Sequence, residues 1–295
     1  ISSSSDIAII PFLYKKYSLD FVKLLRGMYA IAIWDNSKQE LHLIRDRLGK
    51  KPLFYALLND GGMVFGSELN AMVATGLFKT EIDHTAVDKY MLFSRVPQDS
   101  CIYKNVYKVP AANILSWSKN GIVIQKYWEL SFKEKFSDNE QTLIETTESV
   151  LKESVRLRLQ SDVPLGAFLS GGVDSSLVVG MMRNYFNVPV QTFSIGYDEE
   201  TYSELKYARK VAKHLQTDHN EYIIKPDTPE IWGELSSKFS EPFGDTSFLP
   251  TYYVSKLAKQ HVTVVLTGDA GDENFGGYEW YKGMELVYRL NKMPV

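Results

Sequence analysis

The sequence predicts an α+β unit of hairpins and helices, followed by an α/β unit built on a parallel sheet. Three observations carry that prediction. Apolar runs of period two in the first half are joined by Asn, Asp, Gly and Ser turns. A short apolar run at 163–169 leads directly into Ser170-Gly171-Gly172-Val173-Asp174-Ser175-Ser176 and then into a helical pattern. A second buried-type run, 262–266, ends in an acidic, glycine-rich loop. At 295 residues the chain has room for two domains.

In chain order, helical patterning comes first, over 6–17. Residues 30–34 are apolar and sheet-friendly, Asp35-Asn36-Ser37 supplies a turn, and 40–44 alternates, which predicts a hairpin. A second hairpin joins 52–56 to 63–65 through Asn59-Asp60-Gly61-Gly62. Helical patterns follow at 67–73 and 83–93, and a third hairpin joins 113–117 to 122–127 through Lys119-Asn120-Gly121. Hairpins packed beside helices make an α+β layer domain over 1–130. Residues 131–139, charged and without period, form a linker, and 141–159 reads as an amphipathic helix opening a second domain, 140–295.

The junction at 170–176 favours an anion. Glycines let backbone approach a phosphate without a Cβ clash. Free amides and the helix dipole point positive charge at the ligand. Serine hydroxyls add donors, while Asp174 would repel phosphate unless a divalent cation bridged them. Glycine-serine turns before helices also serve as plain caps; the strand–loop–helix frame and the acid set this one apart. It lacks the Walker ending and the GxGxxG dinucleotide fingerprint.

A strand at 192–197 and a helix at 204–215 come next. The run 262–266 then ends in Thr267-Gly268-Asp269-Ala270-Gly271-Asp272-Glu273-Asn274-Phe275-Gly276-Gly277-Tyr278. Successive strands ending in such loops place them along the carboxyl edge of one parallel sheet, where open α/β folds bind ligands. Three acids in five residues, ringed by glycine, make a poor core and a good metal or substrate site.

Composition excludes several classes. Apolar residues are 44% and charged residues 23%, ordinary for a globular protein. A net charge of −3 offers no basic footprint for nucleic acid. No run of about 18 apolar residues predicts a membrane span. One cysteine fits a reducing cytoplasm. His42, His84, His214, His219 and His261 lack zinc-type spacing. Cys101, with no paired histidine nearby in sequence, reads as a packing or surface residue.

The heptapeptide at 170–176 resembles the pyrophosphate-binding loop of the ATP pyrophosphatases, which activate carboxylates as adenylates. With LTGDAGDENFGGY about ninety residues later, and Glu241-Pro242-Phe243-Gly244-Asp245-Thr246-Ser247 between, it resembles the synthetase domain of glutamine-hydrolysing asparagine synthetases, type B. The family usually shows SGDGGDE or SGEGSDE at the second loop, so Thr267 stands for serine and Ala270 for glycine. Residues 25–35, 44–55 and 65–69 resemble a class II glutamine amidotransferase domain, although Asn70 replaces the family's usual lysine.

The resemblance implies an Ntn-hydrolase-like glutaminase layer, incomplete here, before an adenine nucleotide α-hydrolase-like synthetase domain. It places ATP phosphates on Ser170, Gly171, Gly172, Asp174, Ser175 and Ser176, with Gly268 beside them and adenine near Phe168 and Ile195. Asp174 and Asp272 would hold Mg²⁺, with Asp272 catalytic. Asp269 would orient the aspartyl-adenylate or accept a proton from ammonia. Glu241 and Asp245 either bind substrate or serve as structural caps, and Asp6 would hold the glutamine α-amino group, although Ile7-Ala8 departs from the usual polar pair.

Aspartate, ATP and glutamine-derived ammonia are the implied substrates, asparagine the product, and a homodimer the common family state. Related enzymes adenylate other carboxylates, and a degenerate paralogue would only bind nucleotide. The family's nucleophilic cysteine and the lysine thought to contact pyrophosphate have no counterpart here. The expectation is a chain cut at both ends that does not itself hydrolyse glutamine.

Overall fold

In the computed structural model, residues 6–17 pass from a 3-10 segment, Asp6–Ile9, into helix α1, Ile10–Tyr17, where Pro11 presets the first turn. The structure describes residues 5–185, 189–199, 203–224 and 229–292. They fall into two units: 1–135 with 228–245, and 136–227 with 246–295.

In the first unit, β1 (Ala30–Asp35) and β2 (Glu40–Arg45) pair antiparallel. Their turn is fixed by Asp35, whose carboxylate accepts from the Ser37 amide at 3.0 Å, the Ser37 hydroxyl at 2.6 Å and the Lys38 amide at 3.1 Å. Strands β3 (Phe54–Leu57) and β4 (Met63–Gly66) make the second hairpin. Helix α2 is Leu69–Ala74, and α3, His84–Phe93, starts where Asp83 accepts from the Thr85 amide at 2.9 Å. Strand β5 (Val106–Lys108) adds to β3, and β6 (Asn113–Ser118) with β7 (Gly121–Lys126) forms the third hairpin. Two antiparallel sheets result, ordered β1-β2-β6-β7 and β4-β3-β5.

The stretch 45–51 turns out to be a structural elbow held by two buried charges, Arg45 and Asp46. Asp46, 1% exposed, accepts from the amides of Tyr29, Leu48, Lys50 and Lys51. Arg45, 4% exposed, donates to the carbonyls of Lys51, Val109 and Gly49 and to Gln98 Oε1. Charges this deep persist because their hydrogen-bonding capacity is used.

The second unit opens with α4 (Glu140–Arg158), capped by Asn139, which accepts from the Thr142 amide at 2.9 Å. Then come β8 (Leu165–Phe168), α5 (Val173–Arg183), β9 (Gln191–Tyr197), α6 (Leu205–Leu215) and β10 (Asp218–Ile224). Helix α7 (Pro229–Lys238) falls in the segment grouped with the first unit. The second unit resumes with α8 (Phe248–Ala258), β11 (Val264–Leu266), α9 (Gly271–Phe275) and α10 (Glu279–Leu290).

Strands β10-β9-β8-β11 form one sheet, every pair parallel. Side chains alternate across it. Ala167 and Leu169 join Val179, Met182 and Ala208 in one core, while Phe168 packs with Phe193, Val254 and Ala258 in another. Helices therefore cover both faces, as a parallel sheet requires. Among the described residues no helix is long and apolar enough to cross a membrane.

Candidate functional site

The chain steps outward from β8 to β9 to β10, then returns to pair β11 with the other side of β8. That reversal makes a topological switch point at the carboxyl ends of β8 and β11, the position where doubly wound sheets take ligands. Both glycine-rich loops leave from it, since Leu266 lies opposite Ala167.

The first loop shapes itself with its own hydroxyls. Ser170 Oγ and Ser175 Oγ lie 2.9 Å apart, the Gly172 amide donates to Ser170 Oγ at 3.2 Å, and Ser175 Oγ donates to the Gly172 carbonyl at 3.3 Å. Ser194 Oγ donates to the Leu169 carbonyl and ties the loop's entry to β9. Gly171, at φ +85°, rests on the start of α6, where a Cβ would overlap the backbone of Tyr207 and Ala208. The N-cap of α5 is Gly172, which has no side chain to satisfy the first-turn amides. Among the described residues Ser176 Oγ is buried with no hydrogen-bond partner. Serines 170 and 175 thus build the loop, and the first amides of α5 have no side-chain cap.

The second loop packs on the first. A Cβ on Gly268 would lie 2.7 Å from the Ser175 nitrogen, and one on Gly271 would overlap the Asp174 carboxylate. Gly277 stands in the same relation to Asp272 Oδ1. Ala270 takes a left-handed φ of 74°, and its carbonyl accepts from Asn274 Nδ2 at 2.6 Å. The acids differ in use. Glu273 accepts from Tyr278 OH at 2.9 Å, which pushes that phenol's pKa up, whereas Asp174, Asp269 and Asp272 form no ion pair among the described residues.

Phe168, at the end of β8, and Ile195, within β9, are half-buried and pack against the cluster of Phe193, Val254, Ala258 and Val262. The structure therefore brings Phe168, Ser170, Gly171, Gly172, Asp174, Ser175, Ser176, Ile195, Gly268, Asp269 and Asp272 to one sheet edge. Among the described residues no group of three His, Cys, Asp or Glu could hold a metal. Asp174 and Asp272 are two carboxylates, which suits magnesium, an ion usually held by one or two acids plus substrate phosphates.

The remaining candidates lie in the first unit. Asp6 is exposed in the first turn of the 3-10 segment. Glu241 Oε1 accepts from the Ile102 amide at 3.0 Å, and its Oε2 lies 2.6 Å from Lys108 Nζ. Asp245 closes the 228–245 segment. Cys101 is 3% exposed and burial pushes its thiol up to about 11, the state of a packing cysteine. Sequence reading missed Lys108 and the buried His42, which bridges Ser116 Oγ at 2.8 Å and Tyr14 OH at 3.2 Å. Their partners are far away in sequence, so no local pattern signals them.

Comparison with known proteins finds two family models on the chain. The asparagine synthase family model matches residues 146–294, and the glutamine amidotransferase domain model matches residues 1–128. A Methanocaldococcus jannaschii protein named putative asparagine synthetase (glutamine-hydrolyzing) 2 is 41% identical over 298 residues, 99% of this chain and 57% of that one. Asparagine synthetase (glutamine-hydrolyzing) 1 of Bacillus subtilis is 34% identical over 297 residues, covering 99% and 46%. A protein of Gibberella zeae named amidase chry2 is 30% identical over 305 residues, covering 96% and 44%. The chain spans about half the length of these curated relatives.

Proposed function

We propose, from the premise that this chain belongs to the asparagine synthase family, that its second unit binds ATP and converts aspartate to asparagine through an adenylate. The observation that carries the reading is the meeting of two loops, 170–176 and 267–273, at the switch point of the parallel sheet. The β-carboxylate of aspartate attacks the α-phosphate, giving β-aspartyl-AMP and pyrophosphate. Ammonia then displaces AMP.

The chain's residues divide the work. The first-turn amides of α5 and Ser176 Oγ hold phosphate oxygens. Ser170 and Ser175 keep the loop in shape, and Gly268 allows the close approach. Phe168 and Ile195 form the apolar wall for adenine. Asp174 and Asp272 face polyphosphate, and two like charges about 4 Å apart repel by about 4 kcal/mol at an effective dielectric of ~20. These two acids would hold a magnesium ion, which supplies the positive charge that offsets that repulsion. Asp269, exposed beside them, orients the adenylate or takes the proton that ammonia sheds.

The first unit's two antiparallel sheets are read as Ntn-hydrolase-like layers of a glutaminase that supplies ammonia, with Asp6 placed for the glutamine α-amino group. A reducing cytoplasm suits the single cysteine.

The test is ATP–[³²P]pyrophosphate exchange by the full-length protein with Mg²⁺, with and without aspartate, beside Asp174→Ala. Aspartate-dependent exchange, lost in the variant, supports the reading. ATP binding without aspartate-dependent exchange would sink the asparagine assignment and turn attention to other carboxylates.

A further inference from the structure

The two loops at the switch point carry acids and no cation. Residues 170–176 include Asp174, residues 267–273 include Asp269, Asp272 and Glu273, and neither stretch contains a lysine or arginine. A polyphosphate brought to such a surface meets like charge. Positive charge beyond that of a metal ion therefore has to come from outside the loops.

Helix α6 stands against the first of them. A Cβ on Gly171 would overlap the Ala208 nitrogen and lie 2.6 Å from Tyr207 Cβ. The Tyr207 side chain thus leaves α6 beside the loop, and the residue is 49% exposed. Two ammonium groups flank its ring, Lys206 Nζ at 4.9 Å and Lys210 Nζ at 5.9 Å from the centroid. Such contacts are worth little to stability at an exposed site, so stability gives no reason for the pair.

The basic residues of α6 differ in use. Arg209 is committed to Glu221, with Nε donating to Oε1 at 2.9 Å and a terminal nitrogen to Oε2 at 2.7 Å. Lys206 and Lys210 are exposed and form no ion pair among the described residues. Lys213 is exposed and unpaired in the same sense, but lies in the last turn, about 9 Å further along the axis than Tyr207.

We propose that Lys206 and Lys210, held on Tyr207, bind the β- and γ-phosphates of ATP and the pyrophosphate made from them. The inference rests on the nucleotide reading of the second unit. Tyr207 keeps both ammonium groups near the loop, and their flexible stems let them follow the phosphates.

The experiment uses the full-length protein with Mg²⁺ and titrates ATP, inorganic pyrophosphate and AMP. The variants are Lys206→Gln, Lys210→Gln, both together, Lys206→Arg/Lys210→Arg and the control Lys213→Gln. Each single Gln variant should weaken ATP and pyrophosphate about fivefold, the upper end for one exposed charge, and the double variant about twentyfold. AMP lacks the two outer phosphates and should bind within about twofold of wild type. The double Arg variant keeps the charge and should stay within about threefold. Lys213→Gln should bind all three as wild type does. The ATP deficit should narrow as salt rises, because exposed charges are screened. All substitutions are at exposed positions and should leave the melting temperature unchanged.

Equal weakening of AMP and ATP would place the effect in the loop's shape and overturn the inference. Unchanged ATP and pyrophosphate affinity in the double Gln variant would overturn it as well, as would an equal loss in Lys213→Gln. Wild-type protein that binds neither ATP nor pyrophosphate would instead remove the nucleotide reading, and this inference with it.

Discussion

The Cα of Gly268 faces the backbone nitrogen of Ser175 so closely that a Cβ would lie 2.7 Å from that nitrogen and 3.1 Å from the Asp174 carbonyl carbon. One atom belongs to the loop after β11, the other to the first turn of α5. These neighbours are backbone and cannot rotate aside. Gly268→Ala should therefore push the loops apart, costing about 2 kcal/mol by overpacking. ATP titration should show at least ~tenfold weaker binding, a factor worth about 1.4 kcal/mol. Unchanged affinity would mean the loops bind independently.

Gly171 meets two demands at once. Its φ of +85° disfavours any side chain, and a Cβ would also run into the backbone of Tyr207 and Ala208. Gly171→Ala should lose about 3 kcal/mol, conformational strain and overlap together. Chemical denaturation of the second unit is the readout, and a loss below about 1 kcal/mol would argue against this packing.

Ala270 presents the reverse case. It holds a left-handed φ of 74° where the family's usual loop has glycine. Ala270→Gly should relieve about 1 kcal/mol of backbone strain, and it should leave ATP affinity within about twofold. A drop in melting temperature would show that the methyl packs usefully.

Two histidines, one buried and one half-buried, set an acid limit. Burial holds His42 below its ordinary value of 6.5, with Lys38 assisting and Glu40 and Asp35 opposing. Tyr14 OH and Ser116 Oγ flank the ring, and Tyr14 donates to Asp35 at 2.7 Å. His219, between Thr192 and Glu221, is lowered for the same reason, with Glu221 opposing and Arg209 assisting. Below pH ~6.5 the unfolded chain takes protons that the folded rings refuse. Both units should thus be fully stable above that value and lose stability as pH falls toward the lower folded values. Melting temperature against pH is the check, and His42→Gln should flatten the first unit's slope.

How much of this was legible follows from where the signals reside. The three hairpins announced themselves through Asp35, Gly61 and Gly121, because turn chemistry is local. The loop at 170–176 was legible for the same reason. Strand β5 escaped notice at three residues, and β10 because Asp218-His219-Asn220-Glu221 reads as polar surface on an edge strand. Pro250, in the first turn of α8, obscured that helix. Nothing local to Glu241 points to Lys108, since the pair exists only after folding. The opposite surprise came from Arg45-Asp46, which were read for their family resemblance and are structurally spent.

Cys101 gives the chain a reporter of its own. It is the single cysteine in these 295 residues, lies 3% exposed in a core with Ala86, Val96 and Ile102, and burial raises its thiol to about 11. Near neutral pH it is neither ionised nor reachable, so a thiol-reactive dye should find it only when that core opens. The speed at which the folded chain takes up dye then times the opening of the first unit, and the second unit, with no cysteine of its own, stays dark.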